Sequence, residues 1–83
     1  MRLILRWYNS AMKGQIQQYD VVTLVQDLPE HRLVRGQVGT VVEQYAPDAF
    51  EVEFADQAGR TYALATLSAE HLLVLHHEPA YAV

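Results

Sequence analysis

The fold is decided by one ten-residue stretch, which reads Val34-Arg35-Gly36-Gln37-Val38-Gly39-Thr40-Val41-Val42-Glu43. Two glycines, Gly36 and Gly39, stand three positions apart and directly before a run of β-branched residues. Because glycine reaches positive φ without steric cost, this spacing predicts a sharp turn, formed by both glycines, that leads into a strand. Thr40, Val41 and Val42 are strong strand formers, and apolar segments flank the stretch on both sides. The stretch therefore predicts a small β-sheet closed around one core.

Five strands are predicted around this turn. Their ranges are Tyr19–Asp27, Thr40–Tyr45, Phe50–Phe54, Arg60–Ala65 or Thr66, and Leu72–His76. The first is nearly continuous in apolarity, which indicates burial of both faces. The third alternates, so its apolar residues should face the core and its two glutamates should face solvent. A single helical turn, capped by Ser68, is expected at Ser68–His71 before the last strand.

The connection after the third strand is specific enough to predict a register. Asp56 and Gly59 occupy the first and fourth positions of a type I turn, and Gly59 suits the left-handed position of the hairpin. A three-residue loop then places Asp56 opposite Arg60. Counting outward gives two facing pairs that share the core side, Phe54 with Tyr62 and Val52 with Leu64. Alternation accordingly places four aromatic residues mostly in the core, namely Tyr45, Phe50, Phe54 and Tyr62.

The length and composition of the chain permit one domain. The chain has 83 residues, of which 51% are apolar, and no cysteine. We divide it into an N-terminal arm at 1–14, which is either packed on the barrel or mobile, a barrel at 15–77 and a tail at 78–83. The arm's apolar run Leu3–Leu5 could add a strand, but it is too short for a signal peptide, which needs about 7–15 apolar residues. No run approaches the about 20 apolar residues of a membrane span, so we expect a cytoplasmic protein.

The charge is unevenly distributed along the chain. The formal net charge is −4. Residues 1–19 carry three basic side chains and no acid, whereas residues 20–83 carry three arginines against ten carboxylates, a net charge of −7. A negative body disfavours phosphate backbones as partners and permits a basic protein partner. The charge can equally serve solubility alone.

Little in the sequence indicates catalysis or metal binding. The four histidines are His31, His71, His76 and His77. His76 and His77 are adjacent in a predicted strand, so they point to opposite faces. A site made by His71, His76 and a carboxylate is conceivable, but surface histidines explain the same pattern. The paired glutamates of the third strand lie on a solvated face, where no sheltered carboxyl is available for acid catalysis. We expect no enzyme activity, no cofactor and no metal.

The long loop between the first two strands is the best candidate for a binding site. Long loops on small rigid barrels are common recognition elements. This loop combines a rigid proline and a histidine with arginines that suit forked contacts to carboxylates. The candidate binding residues are Asp27, Pro29, Glu30, His31, Arg32 and Arg35. In the alternative, Leu28, Leu33 and Val34 tuck under the barrel and the charges only solvate it.

Five short strands, a long first loop and one helical turn before the last strand resemble the SH3-like barrel. Three segments are also similar to the KOW-type motif of ribosomal and transcription-elongation proteins, over about residues 20–54. They are Asp20-Val21-Val22, Gly36-x-x-Gly39-x-Val41 and the strand Phe50–Phe54. That resemblance implies association with RNA or ribosomes. The chain departs from the KOW pattern by its longer first loop and by its lack of clustered lysines and arginines.

A closer resemblance, over about residues 18–76, is to a family of short bacterial proteins of unknown function. The shared segments are Asp20-Val21-Val22, Asp27-Leu28-Pro29-Glu30-His31, Arg35-Gly36 with Gly39, and Tyr62-Ala63-Leu64. The family implies no activity, but some members are encoded near toxin-like genes. We therefore expect a non-catalytic module that binds another protein, of unknown oligomeric state. The alternatives are an antitoxin or immunity-type protein that neutralises a basic partner, and a KOW-like RNA-associated or ribosome-associated protein.

Overall fold

The computed structural model describes residues 16–77, so the predicted arm and tail lie outside the described residues. Five strands account for the regular structure in this range. They are β1 (Val21–Leu24), β2 (Val38–Ala46), β3 (Ala49–Ala55), β4 (Thr61–Leu67) and β5 (Leu72–Val74). Two single 3₁₀ turns, Pro29–His31 and Ala69–His71, precede β2 and β5. The all-β class and the turn before the last strand are confirmed.

The strands form one antiparallel sheet in the order β4-β3-β2-β1-β5. Consecutive strands from β1 to β4 are neighbours, and β5 returns to pair with β1. Among residues 16–77, the two edges of the sheet are therefore β4 and β5. One side of the sheet encloses the core, as in a small β-barrel-like fold.

Strand β1 is shorter than predicted and is buried on one face only. Val22 and Leu24 are fully buried, whereas Val21 and Thr23 are half-buried. The strand ends at Leu24, and the next residue, Val25, donates its N–H to the carbonyl of His71. The prediction that both faces of this strand are buried was wrong, because Val21 is apolar but lies on the outer face of the sheet.

The core is built from alternate residues of the strands and from both flanks of the first loop. Its buried members are Ile16, Val22, Leu24, Leu28, Leu33, Val41, Phe50, Val52, Phe54, Ala65, Leu67 and Leu72. The alternation predicted for β3 is confirmed, because its three large apolar residues are buried and its glutamates are not. Both carboxylates accept hydrogen bonds from threonine hydroxyls of β4, which keeps them on the outer face.

The two glycines of the deciding stretch have different roles. Gly36 has a φ of +93°, so its assignment to a turn is confirmed. Gly39 was wrongly assigned to the turn, because it lies inside β2 and pairs with Phe54. An ideal Cβ at Gly39 would lie 2.7 Å from Cγ1 of Val52 and 2.9 Å from the carbonyl oxygen of Glu53. Gly39 is therefore needed for the close approach of β2 and β3, since no side chain fits there.

The β3–β4 hairpin closes as predicted but shifts register one residue later. The N–H of Asp56 donates to the carbonyl of Arg60 at 2.9 Å, and Gly59 has a φ of +83°. The sheet is then irregular next to Ala55, where Tyr62 is an extra residue on β4. The resulting pairs are Ala55 with Thr61, Phe54 with Ala63, Glu53 with Leu64 and Val52 with Ala65. The predicted pairs Phe54–Tyr62 and Val52–Leu64 are wrong. The extra residue in the bulge places every later side chain of β4 on the face opposite to the predicted one.

Two tyrosines predicted in the core are therefore largely exposed. The exposed fraction is 48% for Tyr62 and 63% for Tyr45. Tyr62 still lies beside Phe54, with ring centroids 6.3 Å apart. Tyr45 is exposed because the β2–β3 hairpin has two irregularities after Val41 and extends beyond the core, so residues 43–48 are all exposed.

The turn before β5 begins at Ser68, as expected, but its cap comes from another element. The Ser68 hydroxyl lies 3.2 Å from Nδ1 of His71 and makes no capping bond to the backbone. Instead, Oδ1 of Asp48 accepts a hydrogen bond of 2.6 Å from the N–H of Ala69. Asp48 is in the β2–β3 turn, so this bond joins two connections that are 21 residues apart in sequence.

Candidate binding lobe between the first two strands

The segment Asp27–Arg35, called the lobe below, is held by a pair of buried leucines. Leu28 and Leu33 are both in the core. Their backbones exchange two hydrogen bonds, of 2.8 Å from Leu28 N–H and 3.1 Å from Leu33 N–H. Apolar burial and paired backbone bonds together fix the base of the lobe to the barrel. The alternative in which leucines tuck under the barrel therefore holds for these two residues.

The tip of the lobe is a 3₁₀ turn that starts with Pro29. Proline suits this position because its φ is already helical and its missing N–H would have no partner in the turn. The N–H of His31 donates to the carbonyl of Leu28, and that of Arg32 donates to the carbonyl of Pro29. Arg32 itself is left-handed, with φ 58° and ψ 38°. This conformation reverses the chain, so that it returns to pair at Leu33.

The far end of the lobe is tied to β1 and to the turn that precedes β2. Oδ1 of Asp27 accepts a hydrogen bond of 2.9 Å from the N–H of Arg35. The N–H of Val34 donates to Oε1 of Gln37 at 2.7 Å, and the N–H of Gly36 donates to the carbonyl of Leu24 at 2.8 Å. Two of these bonds, Arg35 to Asp27 and Gly36 to Leu24, connect the two sides of the loop. The lobe is therefore a folded element with a defined shape.

The six predicted binding residues are all exposed on this element. Two pairs among them are joined by direct hydrogen bonds, Arg32 to Pro29 and Arg35 to Asp27, and both bonds use the backbone N–H of the arginine and leave its guanidinium unused. Within residues 16–77, the ion pairs closer than 4 Å are Arg60 with Asp56 and, when the imidazole is protonated, His71 with Glu70. In this range neither Arg32 nor Arg35 is paired with a carboxylate.

Val34 in the lobe and Gln37 just after it also shape this surface, and neither was predicted as a binding residue. Val34 is 55% exposed, although the alternative interpretation placed it under the barrel. Gln37 accepts from Val34 and donates from Nε2 to the hydroxyl of Tyr62 at 3.2 Å. It thereby connects the lobe to the bulge of β4. The only signal in the sequence was a polar residue between two glycines, which is too general to identify such a bridge.

Within residues 16–77, no group of three or more histidine, aspartate or glutamate side chains could hold a metal ion. The conceivable site at His71 is not formed there, because that imidazole faces Ser68 and Glu70 instead. In the same part of the chain, the structure contains no helix of the length and apolarity that crossing a membrane requires.

Comparison with known proteins gives one result. No curated protein and no solved structure matches the chain. A family model described as a domain of unknown function, DUF4926, matches residues 18–74. This span includes all five strands, both 3₁₀ turns and the whole lobe. Because the match covers well over half of the 83 residues, the chain belongs to the DUF4926 family.

Proposed function

We propose that this chain is a small non-catalytic module that binds another protein through the lobe. The observation that carries the proposal is a preformed lobe with two exposed arginines, Arg32 and Arg35, whose guanidinium groups have no carboxylate partner within residues 16–77. The lobe is fixed at its base by Leu28 and Leu33 and at its end by Asp27. A preorganised surface loses little conformational entropy on binding, so its contacts contribute more fully to affinity.

We further propose that the barrel is SH3-like and that the protein acts in the cytoplasm. Support for the barrel type comes from the order β4-β3-β2-β1-β5 and from the single 3₁₀ turn between β4 and β5. In this arrangement the longest connection of the described sheet, between β1 and β2, carries the lobe. Binding residues on small rigid scaffolds are concentrated on such connections.

The chemistry of the lobe favours a partner surface that carries carboxylates. The guanidinium groups of Arg32 and Arg35 present planar forks of donors that match a carboxylate in two-point contact. Exposed Val34 and Pro29 supply apolar surface beside them. Arg32 occupies a left-handed conformation that costs about 1 kcal/mol more for arginine than for glycine. Such local strain at an exposed charged residue is typical of binding sites.

The test is capture of a partner from the native host, followed by affinity measurement with a double variant. The variant carries Arg32→Gly and Arg35→Ala. Glycine relieves the positive φ at residue 32, so the loss of side chains is separated from any loss of stability. We expect affinity to fall by about 30-fold or more, which corresponds to about 2 kcal/mol for central interface arginines. The melting temperature should stay constant or rise.

The matched control removes charge from a different face. Glu51→Ala with Glu53→Ala deletes two carboxylates on the outer face of β3, which is a different element from the lobe. This control should leave partner binding within about twofold of the unmodified protein, as expected for residues outside the interface. Unchanged affinity in the arginine variant would refute the lobe as the binding site.

The same experiment addresses a second candidate function, neutralisation of a basic partner. The observation that favours it is the fixed orientation of Glu51 and Glu53, whose carboxylates are held by threonine hydroxyls on one face. Loss of binding in the glutamate variant, with binding retained in the arginine variant, would support an antitoxin or immunity-type function that uses β3.

A further inference from the structure

Strand β4 is the longer of the two edge strands in the sheet that residues 16–77 form. It has seven residues, Thr61–Leu67, and none of them is charged or a proline. Within this range β4 pairs only with β3, whereas the other edge strand, β5, has three residues. Alternate residues of an edge strand direct their N–H and C=O groups away from the sheet, and proteins usually block such edges with charges or prolines. The edge of β4 therefore offers a row of backbone groups to an added strand.

Two carboxylates of β3 are held over the outer face of β4. Oε1 of Glu51 accepts a hydrogen bond of 2.7 Å from the hydroxyl of Thr66, and the carboxylate of Glu53 accepts one from the hydroxyl of Thr61. Because each carboxylate contacts a side chain of β4, it lies only about one strand spacing, or about 5 Å, from a strand added at this edge. Cations on the added strand would meet both carboxylates.

The neighbouring charged side chains favour the same kind of partner. Glu43 of β2 is paired with Glu51 in the register of the sheet, so a third carboxylate lies beside the first two. The cation that directly precedes β4 is Arg60, whose Nε lies 3.6 Å from Oδ2 of Asp56, so its charge is balanced locally. The outer face of the sheet beside β4 is therefore negative, and it complements a basic segment.

The register of β3 and β4 sets the spacing that such a segment needs. The two threonines and the exposed leucine between them are paired with residues of β3 that are evenly spaced, two positions apart. These pairs are Thr61 with Ala55, Leu64 with Glu53 and Thr66 with Glu51. Leu64 is 59% exposed and lies midway between the threonines, about 7 Å from each along the strand. A complementary strand therefore has two cations four positions apart and an apolar residue midway between them.

We propose that β4 binds an extended basic segment of a partner protein as an added strand. The segment has the pattern cation–x–apolar–x–cation, in which the cations meet Glu51 and Glu53 and the apolar residue packs against Leu64. The intervening residues face inward, where β4 presents Ala63 and Ala65, so apolar side chains suit them. Backbone hydrogen bonds supply affinity in such a complex, and the alternating side chains supply specificity. The inference rests on the second candidate function for its basic partner and does not involve the lobe.

Two synthetic peptides test the proposed pattern on the full-length chain. The probe is Thr-Lys-Val-Leu-Val-Lys-Thr, labelled with fluorescein at its amino end and amidated at its carboxyl end, and fluorescence anisotropy measures its affinity. The control peptide, Thr-Lys-Lys-Leu-Val-Val-Thr, has the same composition, but its lysines are adjacent and point to opposite faces of a strand. The probe should bind at least about fivefold more tightly, because only the probe places both cations on the outer face. Equal affinities would overturn the proposal.

Variants of the protein identify the surface that the probe contacts. Glu51→Gln with Glu53→Gln keeps acceptors for the threonine hydroxyls but removes both charges, so it should weaken probe binding at least about fivefold. Asp20→Asn with Glu70→Gln is the matched control, because it changes the net charge equally. Asp20 precedes β1, which two strands separate from β4, and Glu70 lies in the 3₁₀ turn after β4. The control should bind within about twofold of the unmodified protein in physiological salt; equal weakening in both variants would refute the site.

Amide hydrogen exchange tests the addition of a strand itself. Saturation with the probe should slow the exchange of the edge-facing amides of β4 by about tenfold or more, whereas amides in the β1–β2 pairing should exchange at an unchanged rate. A probe that binds at the glutamates without slowing these amides would overturn strand addition and leave the second candidate function standing. The lobe variant Arg32→Gly, Arg35→Ala should bind the probe within about twofold of the unmodified protein, as expected for residues outside the interface. Failure here is therefore distinguishable from failure of the lobe as a binding site.

Discussion

Asp27 and Arg35 close the lobe through a hydrogen bond of 2.9 Å between Oδ1 of Asp27 and the backbone N–H of Arg35. This contact joins the first residue of the lobe, Asp27, to its last residue, Arg35, which directly precedes Gly36. Because the bond uses the backbone of Arg35, the guanidinium of Arg35 is left for other contacts. One carboxylate therefore fixes the shape of the lobe without neutralising its charge.

The first prediction concerns this bond. Asp27→Ala should lower the free energy of unfolding by about 1 kcal/mol, because the N–H of Arg35 loses a charged acceptor in an exposed setting. Asp27→Asn keeps an acceptor oxygen of the same geometry and should cost less than half as much. Urea unfolding of the three proteins measures the difference. Equal stability of the alanine variant and the unmodified protein would show that the lobe does not need this contact.

The second prediction separates the two glycines of the deciding stretch. Gly39→Ala should cost about 2–3 kcal/mol, because its Cβ overlaps Val52 and the backbone of Glu53 within a packed sheet. Gly36→Ala meets no atom within 4 Å and should cost only about 1 kcal/mol, owing to its positive φ. Thermal or urea unfolding of the two variants measures which substitution costs more stability. A larger cost at Gly36 would contradict the assignment of Gly39 to packing.

These glycines also show which features of the fold could be read from the sequence. The alternation of β3 and the turn from Asp56 to Gly59 were predictable, because each depends on residues that are adjacent in the chain. The role of Gly39 was not, since it arises from the approach of β3. The bulge at Tyr62 was not predictable either, because the local turn permits both a regular and a bulged continuation.

The lobe was predictable in its position and in its residue types. The folded shape of the lobe was not predictable, because it depends on the pairing of Leu28 with Leu33 and on the left-handed backbone of Arg32. Neither feature has a local signature in the sequence. Asp27 was expected to contact a partner, and in the structure it also accepts a hydrogen bond from within the lobe.

The third prediction tests the register of β4. Ala65→Leu should cost about 1–3 kcal/mol, because Ala65 is buried opposite Val52 and inserting three more carbons overpacks a core position. Leu64→Ala should change stability by less than about 0.5 kcal/mol, since Leu64 is on the exposed face. Denaturant unfolding of both variants is sufficient. The reverse order of costs would restore the register that pairs Val52 with Leu64.

The fourth prediction concerns the turn before β5. Asp48→Ala should cost about 1 kcal/mol, as for loss of a helix cap, because the N–H of Ala69 loses its acceptor. Ser68→Ala should cost less, since the Ser68 hydroxyl contacts the His71 ring and makes no capping bond. Asp48→Asn is the conservative control and should retain most of the stability. A larger effect at Ser68 would assign the cap to the adjacent residue.

The last prediction is that nucleic acid binds weakly and without sequence preference. Residues 20–83 carry a net charge of −7, so the cationic contacts available to phosphate are mainly Arg2, Arg6 and Lys13 of the arm. Three contacts to a single strand give a slope of log affinity against log salt of only about −2.

Fluorescence anisotropy with a single-stranded RNA measures this slope. The variant Arg2→Gln, Arg6→Gln, Lys13→Gln removes the three arm charges and should abolish both the affinity and its salt dependence, because counterions are no longer released by the arm. Arg32→Gly with Arg35→Ala is the control and should leave RNA binding unchanged. If the arm variant still bound RNA at submicromolar concentration in physiological salt, the cationic surface would have to lie on the barrel. The KOW-like interpretation would then replace the protein-binding one.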